Sequence, residues 1–163
     1  MNKAIFLDRD GVINSDKGHY YIYKVEDFKI NEGIVESLQK FQENNFLLII
    51  ISNQGGVSKG IYSIKDVEKV HEYLKSNLKK YNIELTEIYY CPHHSSNEKC
   101  LCRKPNTLML EKAIARFNIN VSESFLIGDG ERDIEAGKKV GLHTIKIDAN
   151  ENISKYCKLI IND

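Results

Sequence analysis

Short apolar runs alternate with amphipathic stretches along this chain. A-I-F-L (4–7) reads as a buried strand, and F-L-L-I-I-I (46–51), ending in three β-branched residues, reads as a strand covered on both faces. Between them, G-I-V-E-S-L-Q-K-F (33–41) sets Ile34, Leu38 and Phe41 at helical spacing. In 63–81, Ser63 caps a helix with Asp66 three residues on, and Val67, Val70, Leu74, Leu78 and Tyr81 form one apolar stripe. Segments 87–91, 124–129 and 143–147 read as further strands, 107–117 and 132–141 as helices, and K-L-I-I (158–161) as a last short strand. This alternation predicts an α/β fold: a mostly parallel sheet with helices on both faces. No repeat, low-complexity tract or Pro/Gly-rich linker divides the chain, so a single domain over 1–163 is expected.

Parallel sheets bind ligands at the carboxyl ends of their strands. The irregular stretches 8–31, 52–62, 92–106 and 128–131 each follow a predicted strand, so all four should open on one rim. Composition narrows what that rim recognises. The chain carries 23 basic and 23 acidic residues, against the basic surplus of a nucleic-acid-binding protein. A phosphorylated small molecule needs only a local basic site. The six residues of F-L-L-I-I-I fall far short of the roughly 20 that span a bilayer. M-N-K-A-I-F-L-D reaches an acidic residue too early for a signal peptide. A cytoplasmic protein with reduced cysteines is expected, with no membrane or nucleic-acid partner.

The chemistry begins at F-L-D-R-D-G-V-I-N (6–14). Side chains alternate along a strand, so Asp8 and Asp10 can face the same way, where two carboxylates repel unless a cation such as Mg²⁺ intervenes. Alone, the pair also reads as a solvated, inert turn. Other candidates end neighbouring strands: Ser52 in I-I-S-N-Q-G-G, Asp129 and Asp133 in I-G-D-G-E-R-D, and Arg103 and Lys104 in C-R-K-P. Carboxylates, a hydroxyl and a lysine on one rim are the parts of metal-assisted phosphoryl transfer.

A second cluster lies in C-P-H-H-S-S-N-E-K-C-L-C (91–102). Cys91 and His93 form C-x-H, and Cys100 and Cys102 form C-x-C. Three thiolates and one imidazole make a closed, structural zinc shell. His94 is an alternative to His93, and a loop of free thiols is the plain alternative to a metal. Cys157 reads as a buried thiol in the last strand, and His71 and His143 as structural or surface residues.

Taken in order, D-R-D-G, I-I-S-N-Q, C-R-K-P and G-D-x-x-x-D resemble the haloacid dehalogenase superfamily of aspartate-nucleophile phosphatases, from Asp8 to Asp133. The resemblance implies a Rossmann-like, HAD-like fold with a minimal cap. It implies Asp8 as nucleophile and Asp10 as general acid and base. Mg²⁺ would be held by Asp8, the carbonyl of Asp10 and Asp129. Ser52 and Lys104 would bind the phosphoryl oxygens, with Asp133 orienting the metal site. His93 is favoured over His94 as the fourth zinc ligand, and the zinc loop would position Arg103 and Lys104.

Within the superfamily the chain is similar to a small branch whose members act on heptose 1,7-bisphosphate, at the 7-phosphate, or on histidinol phosphate. N-S-D-K-G-H-Y-Y (14–21) resembles the heptose-type loop N-x-D-x-G-Y, as does N-Q-G-G-V-S-K-G-I-Y (53–62) with Lys59 before glycine. The short zinc loop is nearer the histidinol type. Two pocket loops outweigh one metal loop, so the resemblance implies a sugar-phosphate substrate contacted by Asp16, Lys17, Gly18, His19, Asn53, Gln54, Gly55, Lys59 and Arg103. Gly130 stands where the heptose enzymes have lysine, His19 where tyrosine is usual, and Val12 where threonine is frequent. A phosphotransferase, or a zinc-stapled module that binds phospholigands without turnover, remains open. A monomer is expected.

Overall fold

Strands β1 (Lys3–Leu7), β2 (Phe46–Asn53), β3 (Glu87–Cys91), β4 (Phe125–Gly128) and β5 (His143–Lys146) form one sheet in the order β3-β2-β1-β4-β5. Every pairing is parallel. The computed structural model describes residues 1–162. Helices α1 (Ile34–Glu43), α2 (Ile64–Lys79), α3 (Leu108–Arg116), α4 (Glu131–Lys139) and α5 (Cys157–Asn162) cover the sheet.

The period-two alternation of the strands sorts their side chains into two cores. Ile5, Leu7, Leu48, Ile50, Phe125 and Ile127 pack with Leu38 and Phe41 of α1, Val70, Leu74 and Leu78 of α2, and Ile160 of α5. Ala4, Phe6, Ile49, Ile51 and Leu126 pack on the other face with Met109, Leu110 and Ala113 of α3 and Ala136 of α4. Central strands buried on both faces are why these runs are apolar without interruption. Each fully buried Leu or Ile contributes about 1.5–3 kcal/mol of transfer free energy, which fixes the register that carries the site.

Two readings of the sequence are corrected. K-L-I-I is not a strand: it lies in α5, where Cys157 and Ile160 face the core and Leu159 is 58% exposed. Four apolar residues do not distinguish a strand from one turn of a buried helix, and here three-residue spacing of the buried positions decides. Cys157 is buried as expected, at the start of a helix. Tyr81 does not continue the stripe of α2, which ends at Lys79. Asn82, at φ 58°, turns the chain, so Ile83 enters the core and Tyr81 stays exposed. The Ser63–Asp66 capping box forms as expected.

Because the strands are parallel, Asp8, Ser52, Cys91 and Asp129 reach the same rim. β1 pairs with both β2 and β4, and the chain runs outward on either side of this junction. That is the topological switch point, where the loops part and leave a crevice. Asp8 and Asp129 stand on its two banks.

Candidate active site

The crevice is a cleft of about 310 Å³ lined by Asp8, Asp10, Asp16, His19, Asn53, Gly55, Arg103, Lys104, Asp129 and Asp133 among the residues expected from sequence. The carboxylates of Asp8, Asp129 and Asp133 converge, with ligand-capable oxygens within 4.8 Å of one another. Lys104 balances them: its Nζ lies 2.9 Å from Asp8 Oδ1 and 2.5 Å from Asp133 Oδ1 and donates to the Ile51 carbonyl at 2.8 Å. The other Asp133 oxygen accepts from the Gly130 N–H at 3.0 Å, closing the first turn of α4.

Burial pushes the Asp8 carboxyl up to about 8, and Asp133 and Asp129 add to it against the pull of Lys104. Burial and then Asp133 likewise raise Asp129. Loss of solvent opposes the charge on Lys104, yet Asp8 and Asp133 hold its pKa above the ordinary value. The site is thus short of positive charge. Gly11, at φ 82°, keeps the opening in front of Asp129 clear: a Cβ there would stand 2.4 Å from Asp129 Oδ2. A compact divalent cation bound through carboxylate oxygens fits this donor set.

Asp10 is held differently. Its Oδ1 accepts from Arg9 Nη2 at 2.9 Å, Arg9 Nε at 3.2 Å and Asn14 Nδ2 at 2.9 Å. Its Oδ2 accepts from Arg9 Nη2 at 3.1 Å and Gln54 Nε2 at 3.0 Å. The third carboxylate beside Asp8 and Asp129 is therefore that of Asp133. The Asp10 carboxylate is not in that cluster, in keeping with the expectation that Asp10 would offer a metal only its backbone carbonyl.

Ser52 and Gln54 are buried behind the cleft wall. The Gln54 amide donates to Ser52 Oγ at 2.8 Å and accepts from Tyr62 Oη at 2.7 Å. Its polar atoms are thus engaged inside the protein, where the sequence suggested a substrate contact. Asn53 holds the C-R-K-P segment through the Lys104 backbone, accepting its N–H at 3.0 Å and donating to its carbonyl at 3.2 Å. Lys17, Gly18 and Lys59 do not line this cleft.

The cysteine cluster closes as its spacing suggests. Cys91 Sγ lies 3.7 Å from Cys100 Sγ and 3.0 Å from Cys102 Sγ, and His93 Nδ1 lies 3.5 Å from Cys91 Sγ and 3.2 Å from Cys102 Sγ. A tetrahedral zinc shell needs S–S separations of about 3.8 Å and N–S of about 3.6 Å, so these donors fit such an ion with small adjustments. His94 turns away to Ser96. Burial pushes the Cys91 thiol up; at Cys100 the Arg103 N–H and the neighbouring thiols outweigh burial and bring it to about 7. Arg103 is tied to this loop, its N–H directed at Cys100 Sγ at 3.4 Å and its Nη1 donating to the His93 carbonyl at 3.0 Å.

Sequence reasoning missed Tyr20, Tyr21, His94, Gly130 and Arg132 as lining residues. The Tyr21 hydroxyl is buried with no hydrogen-bond partner among the described residues. The Y-Y pair after His19 and the arginine one residue before Asp133 were the available signals.

The chain matches the family described as "Polynucleotide kinase 3 phosphatase" over residues 3–154. It is 43% identical over 143 residues to the D-glycero-alpha-D-manno-heptose-1,7-bisphosphate 7-phosphatase of Campylobacter jejuni, covering 88% of this chain and 80% of that protein. It is 37% identical over 142 residues to the D-glycero-beta-D-manno-heptose-1,7-bisphosphate 7-phosphatase of Haemophilus influenzae, covering 84% of this chain and 76% of that protein. The fold is also that of the D,D-heptose 1,7-bisphosphate phosphatase of B. bronchiseptica, solved with magnesium and phosphate: TM-score 0.82 at 20% identity over 98% of both chains. The chain belongs to the polynucleotide kinase 3 phosphatase family and is a phosphatase.

Proposed function

We propose that this protein hydrolyses the 7-phosphate of a D-glycero-D-manno-heptose 1,7-bisphosphate. The observation that carries the reading is the convergence of Asp8, Asp129 and Asp133 around Lys104, with Asp10 on the same cleft. The names of the relatives supply the sugar, in both anomeric forms. A cleft of about 310 Å³ suits one sugar phosphate and lies at the small end of ligand pockets.

In this reading Asp8 Oδ attacks phosphorus while the bond to the sugar oxygen breaks, and Asp10 gives that oxygen a proton. The product is an aspartyl phosphate and a free sugar hydroxyl. Asp10, now a carboxylate, takes a proton from water as the water oxygen attacks phosphorus, and Asp8 leaves as carboxylate with inorganic phosphate. Lys104, which lines the cleft, donates to the phosphoryl oxygens. Mg²⁺ held by Asp8, Asp129 and the Asp10 carbonyl, with Asp133 orienting the set, would neutralise phosphate charge. Zn²⁺ on Cys91, His93, Cys100 and Cys102 would be structural, holding Arg103 toward an anionic substrate.

The test is phosphate release from both anomers of the heptose bisphosphate and from histidinol phosphate, with MgCl₂ present. The reading expects a preference of at least tenfold in kcat/KM for one heptose anomer, and no turnover by Asp8→Asn. Faster histidinol phosphate hydrolysis would reassign the substrate. Binding without turnover by wild type would make the protein a binding module, and transfer of phosphate to an added alcohol in place of water would make it a phosphotransferase.

A further inference from the structure

Arg9 separates the two catalytic aspartates, yet its side chain is turned inward and is 0% exposed. Burying a guanidinium removes it from water at a cost of several kcal/mol unless its donors are satisfied, and an apolar side chain would fill the same space more cheaply. Here every nitrogen of the guanidinium has a partner. Nε and Nη2 converge on Asp10, and Nη2 also donates to the Ile22 carbonyl at 2.5 Å. Nη1 meets His71 Nε2 at 3.2 Å. Ile22 lies in the loop after β1 and His71 on α2, so the far side of the fork is anchored by two separate parts of the fold.

His71 suits that anchoring role. It is 5% exposed, and burial, then the adjacent Arg9 charge, pulls its pKa down to about 3. The ring is neutral, and its Nε2 is an acceptor for Arg9. A guanidinium presents its donors in a rigid plane, so pinning one edge fixes the other. With Asn14 and Gln54 completing the set, Asp10 Oδ1 receives three donors and Oδ2 two.

We propose that Arg9, anchored by His71, is a positioning residue that clamps the Asp10 carboxylate in place on the cleft wall. The proposal rests on the reading of Asp10 as acid and base. The Asp10 carboxyl gives its proton to the sugar oxygen as the P–O bond breaks and takes one back from water as the aspartyl phosphate is hydrolysed. Arg9 touches neither substrate nor metal, and acts only through where it holds Asp10.

The experiment compares an alkyl ester, the heptose 1,7-bisphosphate, with p-nitrophenyl phosphate, whose leaving group departs without a proton. In Arg9→Lys, kcat on the alkyl ester should fall by about 100-fold with KM within twofold of wild type, while the pre-steady-state burst of p-nitrophenol stays near one per enzyme. His71→Leu should show the same pattern at roughly a tenfold loss. His71→Gln, which keeps an acceptor for Nη1, should restore most of it. If Arg9→Lys does not fold, the two His71 variants decide alone. Unchanged kcat on the alkyl ester, or loss of burst and turnover together, overturns the clamp. Asp10→Asn separates the two levels: if it keeps full activity on the alkyl ester, the acid–base reading itself has failed.

Discussion

Lys104 Nζ and Asp133 Oδ1 meet at 2.5 Å, both side chains buried, although 29 residues separate them in the chain. The contact joins the loop after β3 to the first turn of α4 and places the ammonium against Asp8 as well. It follows that Lys104→Met leaves the buried Asp133 carboxylate and the half-buried Asp8 carboxylate without their shared cation. Removing one partner of a buried pair costs about 3–5 kcal/mol. Urea denaturation without divalent cations should show a loss of that order, and added Mg²⁺ should recover part of it. Equal stability of variant and wild type in EDTA would mean that the pair is solvated.

The pairing explains what was legible in the sequence and what was not. Asp8, Ser52, Cys91 and Asp129 were readable as one rim because each ends an apolar run, and parallel strands bring such ends together. Cys91, Cys100 and Cys102 with a histidine at 93 or 94 were readable from spacing, and the resemblance favoured His93, which the structure places in the cluster. The inward turn of Arg9 was not, since a charged residue between two aspartates reads as solvated and its partners lie 13 and 62 residues away. Gln54 and α5 failed for the same reason. Whether Gln54 meets substrate or Tyr62, and whether K-L-I-I extends or coils, depends on packing that no local pattern encodes.

His71 makes stability depend on acid. Its pKa is lowered from 6.5 to about 3 in the folded state, so between these values the unfolded chain binds more protons. Stability from this group is present above the unfolded pKa and is lost as pH falls toward 3. His71→Gln removes the titration and keeps an acceptor for Arg9. Between pH 6 and pH 4, the wild-type stability should fall more steeply than the variant's, by up to about 1.4 kcal/mol per pH unit. Parallel stability curves over this range would show that His71 is charged in the fold.

Cys100→Ser tests the loop. Cys100 lies 3.7 Å from Cys91 and receives the Arg103 N–H at 3.4 Å, so losing the thiolate should release both the metal and Arg103. The purified variant should hold less than half of the wild-type zinc by elemental analysis. Its thermal midpoint should drop, and KM for the phosphorylated substrate should rise about tenfold with a smaller change in kcat. Undiminished zinc content would mean that Cys100 is not a ligand, and a wild type without zinc would assign the cluster to free thiols.

Gly11→Ala tests the space in front of Asp129. The substitution meets two physical obstacles at once. The backbone sits at φ 82°, where a side chain costs about 1–2 kcal/mol. The new Cβ would also stand 2.4 Å from Asp129 Oδ2, so the carboxylate must shift from the position in which it meets Asp8 and Asp133. The first effect lowers stability whether or not a cation is present; the second acts on the cation alone. Titration calorimetry should therefore show Mg²⁺ affinity reduced at least tenfold, beyond what a modest drop in thermal midpoint explains. Adding excess Mg²⁺ should restore much of kcat, because Asp8, Asp10 and Lys104 are left in place. If Mg²⁺ affinity is unchanged while stability falls, Asp129 has room to move and the glycine serves the turn alone.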